Sequence, residues 1–166
     1  LLHGAVFLTL KLGSGMEERA RKAALGIWVP ASVLLIAFVV VGYLDLGFLS
    51  RLGGVNPGVI PIAAVAALVA TRWLLTSGRT GWAFVLTGAA IAFSTVTLFV
   101  ALFPEVMPSS LDPAYSLTIQ NASASELTLK IMSIVAVALV PVVLAYQAWT
   151  YWVFRKRITM ETELEY

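Results

Sequence analysis

The sequence predicts an all-α integral membrane protein, a four-helix transmembrane bundle plus the end of a preceding helix. Three observations carry that prediction. Hydrophobic residues make up 60% of the 166-residue chain and charged residues 12%, and the mean hydropathy is +0.91. Soluble domains carry about 25% charge and about 45–50% apolar residues, so this chain has too little polar surface to coat one. Four long apolar stretches, 23–43, 56–75, 81–103 and 127–154, each reach the ~20 residues that cover a ~30 Å hydrocarbon core. The segments between them alternate between rich and poor in Lys and Arg.

Continuous apolar runs of this length are helices, because a spanning segment must satisfy its backbone internally and these runs lack the alternation of barrel strands. Residues 1–12 are apolar, with no basic region before them and no small-residue cleavage site after them. They read as the end of a truncated transmembrane helix rather than a signal peptide, and the chain as a piece of a longer one. Residues 13–22 form a cytoplasmic loop and helix start. Ser14 and Glu17 have capping-box spacing there, and Glu17–Arg21 and Glu18–Lys22 are i,i+4 pairs. Pro57 and Pro61 suit the first turn or so of the third helix, where a missing N–H costs least. Ser123 and Glu126 repeat the capping-box spacing before the last helix, and Pro141 inside it is expected to kink it.

Orientation follows from the connecting segments. The first carries Lys11, Arg19, Arg21 and Lys22; the second carries Arg51 beside Asp45; the third carries Arg72 and Arg79. The fourth, 104–126, has no Lys or Arg, and the tail 155–166 opens with Arg155, Lys156 and Arg157. The positive-inside rule puts the first, third and last segments in the cytoplasm and the 104–126 loop outside. Trp149, Tyr151 and Trp152 then sit at headgroup level, with the three basic residues at the lipid phosphates. That basic run is too short, and too closely tethered to a membrane, to indicate nucleic-acid binding.

The spans offer little chemistry. The chain has no cysteine and one histidine, His3, which excludes disulfides, thiolate metal sites and paired-histidine haem or zinc ligation by this chain alone. No Asp, Glu, Lys, Arg or His lies in the middle of the four spans, where a proton relay or transport site would place one. Arg72 and Lys130 are near helix ends and can snorkel. His3, beside Gly4, reads as a packing or hydrogen-bonded residue. Ser94, Thr95 and Thr97 read as bonding back to their own carbonyls or as interhelical contacts. Tyr146 and Gln147 read as ordinary helix contacts, with a quinone or a partner helix as the sharper alternative. Gly13–Gly15 is only faintly like a phosphate loop, and Asn121-Ala122-Ser123 has the form of a glycosylation sequon. Packing is better marked. Ala63 with Ala67, Ala66 with Ala70, and Gly88 with Ala92 have the small-xxx-small spacing of closely approaching helices.

Three stretches carry a resemblance. "LDPAYSLTIQNASAS" (111–125) and "AYQAWTYWVFRKRI" (145–158) closely resemble the C-terminal half of subunit II of the cytochrome bd quinol oxidases, and "HGAVFLTLK" followed by "ERARK" resembles the junction between that subunit's two halves. The resemblance covers essentially the whole chain. It implies an oxidase of the bacterial respiratory chain that oxidises menaquinol or ubiquinol and reduces dioxygen to water in the plasma membrane. Two b-type haems and haem d would lie in subunit I. This chain would be its structural partner, together with the N-terminal half of subunit II, membrane lipids and a bound quinone or lipid. The family's proton-entry carboxylates belong to that N-terminal half, so none is assigned here. Without the resemblance, half of a helical transporter or a membrane anchoring or assembly protein would fit the same composition.

Overall fold

The computed structural model describes residues 1–13, 15–44 and 58–157. Ser14, Asp45, Arg51, Pro57 and the tail beyond Arg157 lie outside them, and with them the first expected capping box. Five helices are present: α1 (Leu2–Lys11), α2 (Met16–Leu44), α3 (Val59–Thr76), α4 (Thr80–Leu102) and α5 (Glu126–Val153). The last four are long and apolar enough to cross a membrane. The protein is thus all-α.

Local chemistry explains those ends. Glu17 pairs with Arg21 at 3.0 Å on the first turns of α2, as expected; among the described residues Glu18 and Lys22 form no ion pair. Pro61 stands third in α3, where its missing N–H costs least. α3 closes on a Schellman motif: Arg79 N–H donates to the Leu74 carbonyl at 2.9 Å and Gly78 N–H to that of Leu75 at 3.4 Å. Gly78 takes φ +73°, which a Cβ would oppose. This reversal is short enough to lay α4 antiparallel on α3, the most extensive helix pair in the chain. α5 is capped by Ser125, whose Oγ accepts from Thr128 N–H at 3.4 Å. The expected cap, Ser123, instead donates to the Gln120 carbonyl. The cap falls next to Glu126 because that is where helical geometry begins.

The described residues divide into two units, one of residues 1–103 with Arg157 and one of residues 104–156. In the first unit α1 packs on α2 and α4, and α3 packs on α2 and α4, so four helices close a ring that includes the short α1. Its core runs through Val6, Ala24, Leu68, Leu75 and Ala83. Two polar contacts tie the ring across large sequence separations. Trp28 Nε1–H donates to the Leu68 carbonyl at 2.8 Å, joining α2 to α3, while the Arg72 guanidinium lies 4.9 Å from the Trp28 ring centre. His3 Nδ1 lies 2.7 Å from Thr87 Oγ1, and its ring stacks on Phe84 at 4.3 Å, joining α1 to α4. Thr87 directs its single proton to the Phe84 carbonyl at 2.8 Å, so the His3 ring N–H is the donor to Thr87.

The second unit holds α5 and the segment before it. There β1 (Glu105–Met107) and β2 (Leu117–Thr118) form a small antiparallel pair, with a 3-10 turn at Pro113–Tyr115 between them. The buried Ser116 accepts from Ser109 N–H at 3.0 Å. The Asn121 amide accepts from Thr118 N–H and donates to the Ser116 carbonyl, which gives this residue a turn-holding role whatever its sequon. No residue of α5 is buried, as suits a helix apolar on every side.

The His3 contact is testable. His3→Ala removes a hydrogen bond and a ring stack and is expected to destabilise the protein by about 1–3 kcal/mol, lowering its thermal midpoint in mild detergent. His3→Phe, which keeps a ring against Phe84, should recover part of the loss. An unchanged midpoint in His3→Ala would mean that α1 docks without this contact.

Candidate functional site

The first unit contains an open apolar cavity of about 500 Å³. One wall is α2, through Ile27, Pro30, Ala31, Leu34 and Leu35; the facing wall is α4, through Thr87, Ala90, Ile91, Ser94 and Thr95. Both sets repeat at i, i+3, i+4, i+7 and i+8, the stripe one helix face presents to a neighbour. Leu68 of α3 also contributes, and the first turn of α1, Leu1 to His3, borders the cavity.

The α4 hydroxyls that line it are already engaged. Ser94 Oγ donates to the Ala90 carbonyl at 2.7 Å and Thr95 Oγ1 to that of Ile91 at 2.9 Å; deeper in the unit Thr97 does the same to Phe93 at 2.8 Å. The expected back-bonding of this cluster is therefore what the structure contains. A wall built this way presents methyl and methylene groups, with no donor that an apolar occupant would strand. Pro30 lies inside α2 as Pro141 lies inside α5, so a second long helix carries an interior proline. Lacking an N–H, each leaves the carbonyl four residues earlier without its helical partner.

The basic–aromatic end of α5 is exposed, and its rings and cations lie against one another. The Arg155 guanidinium lies 4.7 Å from the Trp152 ring centre, and Tyr146 and Trp149 are 6.0 Å apart. Trp149, Tyr151 and Trp152 are all more than half exposed, and Arg155 and Lys156 are exposed beyond them. Arg157, grouped with the first unit, lies 3.6 Å from Glu17.

The small residues divide between uses. Ala67 is buried, Ala63, Ala70 and Gly88 are half-buried, and Ala66 and Ala92 are exposed. The tightest faces of α3 and α4 run instead through Ala64, Thr71, Ala83 and Ala90. A Cβ on Gly88 would meet His3 Cε1 at 3.7 Å, an ordinary contact. Among the described residues no three His, Cys, Asp or Glu side chains cluster as metal ligands, and His3 is engaged with Thr87 and Phe84. Sequence reasoning missed the Trp28–Leu68 and His3–Thr87 contacts, which join positions far apart in the chain, and it missed Pro30, which stands in plain sight within a span.

Comparison with known proteins agrees with the geometry. The family model "Cytochrome bd terminal oxidase subunit II" matches residues 1–154. The chain is 37% identical over 166 residues to "Cytochrome bd ubiquinol oxidase subunit 2" of Bacillus subtilis (strain 168), covering 99% of this chain and 48% of the relative. It is 42% identical over 102 residues to "Cytochrome bd-I ubiquinol oxidase subunit 2" of Escherichia coli (strain K12), covering 61% of this chain and 27% of the relative. It is 31% identical over 179 residues to "Probable cytochrome oxidase subunit 2" of Haemophilus influenzae, covering 90% of this chain and 47% of the relative. The chain thus spans at most about half the length of these relatives, and the transporter and anchoring readings are not favoured. Helical architecture, apolar spans and a match over nearly its whole length lead to one conclusion: the chain belongs to the cytochrome bd terminal oxidase subunit II family.

Proposed function

We propose that this chain is the structural part of subunit II in a quinol:dioxygen oxidoreductase and carries no catalytic residue of its own. The observation that carries the reading is the family match over residues 1–154, joined to four apolar helices that could span a membrane. Relatives named as ubiquinol oxidases support a quinol as the electron donor. Two b-type haems and haem d belong to subunit I in this reading. The donor set here supports that assignment, since the one histidine is held by Thr87 and cysteine is absent. When bound in the complex, the haems supply electron transfer and dioxygen reduction. This chain's residues supply depth, packing and exclusion of water.

Residues 104–126 face outward and the C-terminus faces the cytoplasm. The alternation of basic residues supports that orientation, and the Arg155–Trp152 stack supports a headgroup-level anchor. The exposed Ala66 and Ala92 are available for close approach by the haem-bearing subunit, whereas Ala67 and Gly88 serve contacts within the chain. Lipid covers what remains of the apolar surface, and a quinone tail is one further ligand that surface can take.

A tag at the C-terminus of the full-length protein, used to pull the complex from native membranes in mild detergent, provides the test. A reduced-minus-oxidised visible spectrum should show haem b and haem d bands in proportion to the tagged chain. A haem-free preparation that keeps its native partners would contradict the reading. The orientation is checked separately: a reporter fused at the same end should be active only in the cytoplasm, and replacing Arg155, Lys156 and Arg157 by Gln should lower the fraction of molecules so oriented.

A further inference from the structure

We propose that the β1–β2 hairpin rests on the lipid surface at the Glu126 end of α5, with Met107, Leu111 and Leu117 inserted among the headgroups. The proposal rests on α5 as a membrane span and is independent of the oxidase reading.

The hairpin has its polarity reversed. A connecting segment in water turns polar side chains outward and tucks large apolar ones under. Here Val106, Met107, Leu111, Tyr115, Leu117 and Ile119 are all exposed, Leu111 at 90% and Tyr115 at 72%. Pairing of the strands sets Met107 beside Leu117, so these two share a face. The polar side chains serve the loop itself. Ser109 Oγ accepts from Leu111 N–H at 3.2 Å and from Asp112 N–H at 3.4 Å, and Asp112 Oδ1 accepts from Ala114 N–H at 2.8 Å. Ser116 and Asn121 hold the strand ends in the same way. The loop is therefore shaped by its own hydrogen bonds, and what it offers its surroundings is a set of apolar groups.

Lipid is the neighbour within reach. Residues 119–125 join β2 to α5 and would cover at most about 25 Å if extended. They are folded more tightly than that, since Ile119 N–H donates to the Pro104 carbonyl and Ala122 N–H to that of Thr118. α5 is apolar from Leu127 onward apart from Lys130, so the hairpin is tethered at the edge of the hydrocarbon. Tyr115 is a residue type enriched at headgroup level. The charges in 104–125 are Glu105 and Asp112, with no Lys or Arg. The contact thus draws on apolar burial rather than on attraction to anionic headgroups, and the backbone stays hydrated at that depth. A partner protein would accept the same side chains, but it must be brought to them, whereas the bilayer already adjoins α5.

Fluorescence from single labelled cysteines tests this, in the full-length protein with its native partners, reconstituted in phosphatidylcholine vesicles. In a cysteine-free background, Met107→Cys, Leu111→Cys and Leu117→Cys each carry bimane. Val137→Cys, in the middle of α5, carries it as the hydrocarbon reference. Interfacial side chains reach ~5–10 Å into the boundary of headgroups and acyl chains, so lipid brominated near the headgroup end of its chains should quench all three loop labels at least about two-fold. Their emission should lie to the blue of the label in water, in high salt as in low. Blue-shifted emission that brominated lipid leaves unquenched would mean that a protein covers the face, and water-like emission that the loop stands free; either would overturn the proposal. One further variant guards against a fluorophore that enters lipid unaided. With the label at Leu111→Cys, adding Met107→Ser and Leu117→Ser should restore water-like emission, and quenching that persists would also overturn the proposal. Quenching of Val137→Cys by deeply brominated lipid, beside water-like loop labels, would keep the span and remove the hairpin contact.

Discussion

The absence of water in a bilayer core is the constraint on which the rest of this structure depends. A backbone amide left unpaired in hydrocarbon costs several kcal/mol, so each span is one continuous helix and its hydroxyls turn inward on their own carbonyls. Thr9, Thr71, Ser94, Thr95 and Thr97 all follow that pattern. With most polar groups satisfied inside single helices, association between helices falls to close packing and to a few long-range bonds. His3 to Thr87 and Trp28 to the Leu68 carbonyl are two such bonds, and they set how α1 and α2 sit in the ring.

The same constraint explains what could be read in the sequence. Helix number, length and type were legible because apolar runs of this length permit one solution in lipid. The back-bonding of Ser94, Thr95 and Thr97 was legible for the same reason, as was the Glu17–Arg21 pair, which is local. Contacts across 84 and 40 residues were not legible, because nothing in helix periodicity says which turn of one span meets which turn of another. The packing faces illustrate the limit. Small-xxx-small spacing occurs on α3 both at Ala63–Ala67 and at Ala66–Ala70, and sequence alone does not rank them; in the structure Ala67 is buried and Ala66 exposed. The cap of α5 shows a second limit, since Ser123 and Ser125 both precede Glu126 and only backbone geometry chooses between them.

The distribution of apolar surface gives the functional reading its physical content. The first unit buries a modest core and leaves large apolar side chains such as Trp73, Trp82 and Phe99 more than half exposed. α5 buries nothing in its own unit. For a soluble protein such surface would drive aggregation. For one subunit of a membrane complex it is the surface that lipid and neighbouring helices cover. What this chain contributes is a set of apolar helix faces, an exposed aromatic–basic end on α5 and an open apolar cavity between α2 and α4.

Backbone amide hydrogen exchange of the full-length protein, reconstituted in lipid bilayers, tests the central claim most directly. If hydrocarbon rather than intrachain packing accounts for α5, its amides from about Leu129 to Gln147 should be protected as strongly as those of α4, while residues 108–112 exchange rapidly. Exchange of α5 at the rate of that loop, with α3 and α4 still protected, would contradict the account.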